Sequence, residues 1–120
     1  EELIVDTKIE LSNIYFDFDR FNITSKAAFE LDKLIAVMNK YPEMNIIVES
    51  HTDSRGSSSY NKGLSERRAK ATVQYVISKG IAEDRLEAVG KGEEVSLFDC
   101  SKGCNEEQHS QNRRSEFIIE

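Results

Sequence analysis

Residues 46–71 read IIVESHTDSRGSSSYNKGLSERRAKA. The run Ile46-Ile47-Val48 is continuous and β-branched, the pattern of a central strand covered on both faces. His51-Thr52-Asp53 closes it, and residues 54–59 (SRGSSS) are turn formers. A helix follows from about Tyr60 to Lys79, with Leu64, Ala69, Val73, Val76 and Ile77 on one face and Gly80 as its stop. The stretch is therefore a strand–loop–helix unit. It puts one carboxylate, Asp53, just past a strand end and one guanidinium, Arg68, about two turns into the next helix. Loops at the carboxyl edge of an α/β sheet commonly form the ligand crevice. A carboxylate and an arginine there can grip a small zwitterion, ammonium on one and carboxylate on the other. The plainer alternative is a direct Asp53–Arg68 salt bridge, which on pattern alone is the commoner arrangement and contributes little.

Outward from this unit, the segment from Glu10 to Phe18 alternates partly, with Leu11, Ile14, Phe16 and Phe18, and reads as a strand. Thr24 or Ser25 caps a helix whose stripe is Ala27, Ala28, Leu31, Leu34, Ile35 and Met38, and Pro42 stops it after Tyr41. Residues 44–50 are the second strand, 86–90 (LEAVG) a short third, and 115–120 the last. Residues 91–111 read as one long polar loop, and residues 1–9 as a loosely held lead-in with little pattern. The order strand–helix–strand–helix–strand–strand predicts an α/β two-layer sandwich, a mixed four-stranded sheet with two main helices packed on one face. At 120 residues the chain makes one domain, 1–120, with room for a real core.

The formal net charge is −6, and the basic residues interleave with acidic ones, as in SERRAKA, so no basic stripe for nucleic acid exists. No apolar run approaches the roughly 20 residues of a membrane span, and Glu1-Glu2-Leu3-Ile4-Val5-Asp6 is too short and acidic for a leader. The expectation is a mature or excised soluble module. Both cysteines lie in Cys100-Ser-Lys-Gly-Cys104. A disulfide is the favoured reading, since Gly103 relieves the tight loop; free thiols and a metal site with His109 are the alternatives, the last lacking a fourth ligand. A disulfide would imply an oxidising compartment.

Nothing in the chain suggests catalysis. No serine or cysteine has a base at recognisable spacing, SRGSSS lacks the Lys-Ser or Lys-Thr of a phosphate loop, and no cofactor motif occurs. Asp17-x-Asp19 invites a calcium reading but lacks the glycine and closing glutamate of a calcium loop, so no metal is expected. His51 faces away from Thr52 by strand alternation and reads as structural.

HTD, a glycine-containing loop, YN and LSERRA together resemble the OmpA-like C-terminal domain, the family of peptidoglycan-associated lipoproteins and the periplasmic part of MotB-type motor proteins. YFDFDRFNI at 15–23 and NRRSEFIIE at 112–120 extend the likeness over nearly the whole chain. The resemblance implies a non-enzymatic, periplasmic module of a Gram-negative protein attached to the outer membrane. Such a module anchors that membrane, or a protein in it, to the cell wall by gripping the diaminopimelate of peptidoglycan stem peptides. Residue by residue, it places the ammonium-binding carboxylate on Asp53 and the carboxylate-binding fork, which lysine could not reproduce, on Arg68.

The same resemblance puts Asp19 near the ligand, with Phe18 beside it as apolar wall, and sets Arg113 near the ligand carboxylate. Arg114 falls on the opposite face by strand alternation. Arg67, ~100° round the helix from Arg68, faces solvent. Asn61 is equally a helix cap or a ligand contact. Thr52 reads first as a strand threonine and second as a contact, and Arg55, where the family often has a small polar residue, either rims the pocket or is solvated. Residues 91–111 depart from the family by their two cysteines and by lacking a proline after Gly92-Glu93. The competing function is a periplasmic protein–protein interaction or structural domain in which Asp53–Arg68 is only a salt bridge.

Overall fold

The computed structural model describes residues 4–5, 8–9, 13–95, 98–100 and 102–120. The elements are β1 (Ile4–Val5), β2 (Lys8–Ile9), β3 (Ile14–Tyr15), α1 (Ser25–Lys40), β4 (Ile46–Ser50), α2 (Ser58–Ser78), a 3-10 turn at Glu83–Arg85, β5 (Leu86–Gly90), α3 (Glu106–Asn112) and β6 (Arg114–Ile119). The fold is the expected mixed α/β sandwich, with a third short helix.

The sheet runs β1-β2-β6-β4-β5, and β3 also pairs with β6. β4 lies parallel to β5 (Ile46 beside Leu86) and antiparallel to β6 (Val48 beside Phe117, Ser50 beside Ser115). β3 is antiparallel to β6, Ile14 beside Ser115. The carboxyl ends of β3, β4 and β5 therefore meet the start of β6 at one end of the sheet. Main-chain bonds carry this pairing beyond the strands: Phe16 N donates to Arg113 O, His51 N to Arg114 O, and Thr52 N to Gly92 O. The first strand is shorter than its alternation suggested, and residues 10–12 of that expectation lie outside the described residues. Most of the lead-in 1–9 also lies outside them, apart from the short β1–β2 pair.

The core is the expected stripe of α1 without Ala28, which is only partly buried: Ala27, Leu31, Leu34, Ile35 and Met38 are set against Ile46, Val48 and Phe117 of the sheet and Val73 and Val76 of α2. Each large apolar side chain buried here contributes about 1.5–3 kcal/mol. Thr24 is the α1 cap, accepting from Ala27 N, and α1 ends at Lys40 before Pro42. Two corrections concern helices. α2 starts at Ser58 rather than at about Tyr60, because Ser57 accepts from Tyr60 N and supplies the cap. Part of the expected 91–111 loop is α3, opened by a capping box in which Asn105 and Gln108 bond reciprocally.

α2 packs on the sheet through an unusual stripe. Asn61, Ser65, Arg68 and Thr72 are buried at helical spacing before Val76 continues the line. Polar groups buried this way need partners, and they have them. Ser65 Oγ donates to Lys62 O and accepts from Gly92 N, Thr72 Oγ1 donates to Arg68 O, and Ser50 and Ser115 hydroxyls meet at 2.5 Å. Gly90 allows the close approach of helix and sheet. A Cβ there would lie 2.5 Å from Glu66 N and 2.6 Å from Ser65 Oγ.

Candidate functional site

At the convergent strand ends lies a cleft of about 230 Å³. The loop after β4 contributes Thr52, Asp53, Arg55 and Gly56; α2 contributes Tyr60, Asn61, Leu64 and Arg68. The turn after β3 gives Phe18 and Asp19, and the residue before β6 gives Arg113. All seven residues expected at the ligand site thus line a single cleft. The volume is below the ~300–1,000 Å³ of pockets that enclose a whole small molecule, so the cleft suits an end group of something larger.

Asp53 and Arg68 do not pair with each other as the salt-bridge alternative required. Asp53 Oδ2 receives Arg113 Nη1 at 3.0 Å and Arg55 Nη2 at 2.8 Å, and its Oδ1 accepts the Arg55 backbone N–H at 3.1 Å. Burial pushes the Asp53 carboxyl up, but the hydrogen bonds of Arg55 and Arg113 outweigh it and hold the pKa below the usual carboxylate range. Asp53 is therefore an anion at neutral pH.

Arg68 has no exposed surface, and its guanidinium instead ties three main-chain carbonyls, two in the turn after β3 and one just past β4. Nε donates to Arg20 O at 2.8 Å, Nη1 to His51 O at 3.1 Å and Nη2 to Asp17 O at 3.2 Å, with the group 5.1 Å from the Phe16 ring centroid. A guanidinium has five N–H donors, so two remain after these three bonds. Burial, and secondarily the charge of Arg113, lowers the Arg68 pKa to about 10, which leaves it a cation at pH 7. The salt-bridge alternative failed because it counted only the two charges and ignored the carbonyls around them.

Of the adjacent pair Arg113 and Arg114, Arg113 is the one that lines the cleft: its Nε donates to Phe16 O at 2.7 Å and its Nη2 meets Glu106 Oε2 at 3.0 Å. Arg114 points elsewhere, to Glu116 and Val95 O, as strand alternation implied. Arg67 is exposed, over the Phe21 and Tyr60 rings. Thr52 is buried, and its Oγ1 has no partner in the structure although it borders the cleft. A stranded buried hydroxyl costs free energy unless something fills its bonding position.

Asn61 is not the cap that half of its reading made it, since Ser57 holds that place. Its Nδ2 instead donates to Glu93 Oε1 at 2.6 Å. Asp19 adopts φ 57°, a conformation that aspartate tolerates better than most residues, and accepts from the Tyr60 hydroxyl. Phe18 is half exposed at the rim, with the Arg55 guanidinium 4.2 Å from its centroid.

Two participants were missed by sequence reasoning. Glu106, at the start of α3, bonds both Arg55 (3.2 Å) and Arg113 (3.0 Å), and so closes a ring Asp53–Arg55–Glu106–Arg113. Its exposed carboxyl is held low, first by its hydrogen bond from Arg113. The N-x-x-Q spacing of Asn105 and Gln108 was the legible hint of a helix start there. Tyr60 was visible only as half of the YN pair. Cys100 and Cys104 are joined as a disulfide, which rules out both the free-thiol and the cysteine–histidine metal readings. Among the described residues, Glu49, His51 and Glu116 bring ligand-type atoms within 4.8 Å of one another away from the cleft, with Glu116 bonded by Arg114. No helix among the described residues is long and apolar enough to cross a membrane.

The chain and its fold have counterparts. The chain is 35% identical over 112 residues to a peptidoglycan-associated lipoprotein of Haemophilus influenzae, which covers 93% of this chain and 71% of that protein. It is also 35% identical over 113 residues to outer membrane porin F of Pseudomonas fluorescens, covering 94% of this chain but only 33% of the porin. The crystal structure of the peptidoglycan-associated lipoprotein from Burkholderia pseudomallei superposes with a TM-score of 0.82 at 29% identity, covering 90% of this chain and 89% of that one. Residues 15–113, from β3 through Arg113 and so across every segment that lines the cleft, match the OmpA family, and the chain belongs to it.

Proposed function

We propose that this domain binds peptidoglycan non-covalently through the zwitterionic end of a diaminopimelate residue, and so tethers an outer-membrane-associated protein to the cell wall from the periplasmic side. The observation that carries the reading is the presence of opposite charges in the lining of one small cleft: an anionic Asp53, and an Arg68 with two N–H donors still unused after its three carbonyl bonds. The guest's ammonium meets Asp53, its carboxylate meets Arg68, and the orphan Thr52 hydroxyl gains a partner. The names of the relatives, peptidoglycan-associated lipoproteins, support the same polymer. The disulfide supports an oxidising compartment.

The mechanism is recognition without chemistry: positioned charges, one apolar wall at Phe18, and no nucleophile–base pair at the cleft. Retention on purified sacculi, competed away by free diaminopimelate, tests the proposal. Retention that diaminopimelate leaves untouched would mean that the cleft is not the contact, and that a protein or glycan surface is.

A further inference from the structure

The cleft holds an internal occupant that a simple zwitterion site would not need. Asp53 Oδ2 already accepts two guanidinium donors, Arg113 at 3.0 Å and Arg55 at 2.8 Å. Both acceptor sites of Oδ2 are thus filled, so an ammonium that pairs with this oxygen displaces one of the two. Arg113 is fixed, because its side chain is 7% exposed and it is also bonded to Phe16 O and Glu106. Arg55 is not. Its side chain is 37% exposed, and apart from Asp53 its guanidinium meets only the exposed Glu106 carboxylate at 3.2 Å and the open face of Phe18.

Resting on the proposed function, we infer that Arg55 is a specificity-determining residue: its guanidinium stands in the ammonium subsite and yields it only to a ligand that brings a carboxylate along with its ammonium. The exchange is ion for ion. The guest ammonium takes Asp53, and Arg55 swings on its Phe18 and Glu106 contacts to share the guest carboxylate with Arg68. A carboxylate has two oxygens and about four acceptor sites, enough for both guanidiniums. An ammonium without a carboxylate, such as a lysine side chain, takes Asp53 from Arg55 and returns nothing. Arg55 thus acts against simple amines as a repulsive element, alongside the attraction from Arg68.

The test compares two muramyl tripeptides, one ending in diaminopimelate and one in lysine, by calorimetry on the wild type and on Arg55→Ser. The serine variant keeps the backbone N–H that bonds Asp53 Oδ1. The expected result is that Arg55→Ser binds the lysine peptide more tightly than wild type does, and that preference for the diaminopimelate peptide falls about threefold, the scale of a partly exposed ion pair. In the wild type, the Arg55 Nε–H resonance shifts on saturation with the diaminopimelate peptide. A preference that Arg55→Ser leaves unchanged or raises overturns the inference, as does a resonance that stays in place while the peptide binds. A wild type that binds neither peptide overturns the proposed function itself, which is a separate outcome.

Discussion

Replacing Arg68 with alanine tests the fold and the cleft together, and the structure predicts a loss of stability as well as of binding. The side chain is fully buried and gives one hydrogen bond each to the carbonyls of Asp17, Arg20 and His51, which belong to the turn after β3 and the extension of β4. Hydrogen bonds from a charged donor are worth about 1.5–3 kcal/mol each, so three of them come to roughly 5–9 kcal/mol. Against this stands relief of a buried charge. The fall of its pKa from 12.5 to about 10 corresponds to about 3 kcal/mol of unfavourable charging. Water entering through the cleft also rescues some of the stripped carbonyls. The net expectation is a destabilisation of about 3 kcal/mol, or about 10–15 °C in Tm for a domain of this size. Urea unfolding followed by circular dichroism measures it, as a lower midpoint at unchanged slope. Arg67→Ala, one position away but exposed, stays within about 0.5 kcal/mol of wild type. An Arg68→Ala protein with wild-type stability would refute the bracing role and leave Arg68 as a ligand residue alone.

Other outcomes follow from single contacts. Gly90→Ala forces a Cβ to within 2.5 Å of the Glu66 backbone, so α2 must move off β5; a loss of about 1–3 kcal/mol in the same assay is expected, and none would contradict that close approach. Thr24→Ala removes the α1 cap and costs about 1 kcal/mol, measured as a Tm shift. Because the folded Asp53 carboxyl titrates below its ordinary value of 3.8, its contribution is fully present above that value and is lost as pH falls through the lower folded pKa. Asp53→Asn should therefore flatten the acid limb of stability below about pH 4, and an unchanged limb would assign the acid sensitivity elsewhere. The Cys100–Cys104 bridge spans a sequence separation of 4, so replacing both cysteines with serine loses only about 2 kcal/mol on the chain-entropy account, and thiol titration of the unfolded, unreduced wild type finds no free groups.

The sheet and its helices were legible because periodicity reports burial. The α1 stripe named its core face, and the run Ile46-Ile47-Val48 named a central strand; the expected cover on both of its faces is not found, since Ile46 and Val48 are buried but Ile47, on the other face, is only partly so. β5 lies where Leu86-Glu-Ala-Val-Gly90 places it. The start of α2 is masked in the sequence because its first residues are serines, which cap and begin a helix without adding to an apolar stripe. α3 is hidden in the sequence because its seven polar residues carry no hydrophobic period, although its capping box is present. At the cleft, local pattern identified side chains at a strand end and on the next helix face, and family resemblance added Asp19, Phe18 and Arg113. It could not supply partners. The ring through Arg55 and Glu106 joins segments far apart in sequence, and the three carbonyls held by Arg68 belong to backbone, which leaves no residue-type signal.

Titration of a diaminopimelate-containing muramyl peptide into wild type and Asp53→Asn by calorimetry tests the central claim most directly. The account predicts saturable binding by wild type and at least about tenfold weaker binding by the variant, the scale of one charge-assisted contact, with circular dichroism showing both folded. Equal affinity for the two proteins would contradict it.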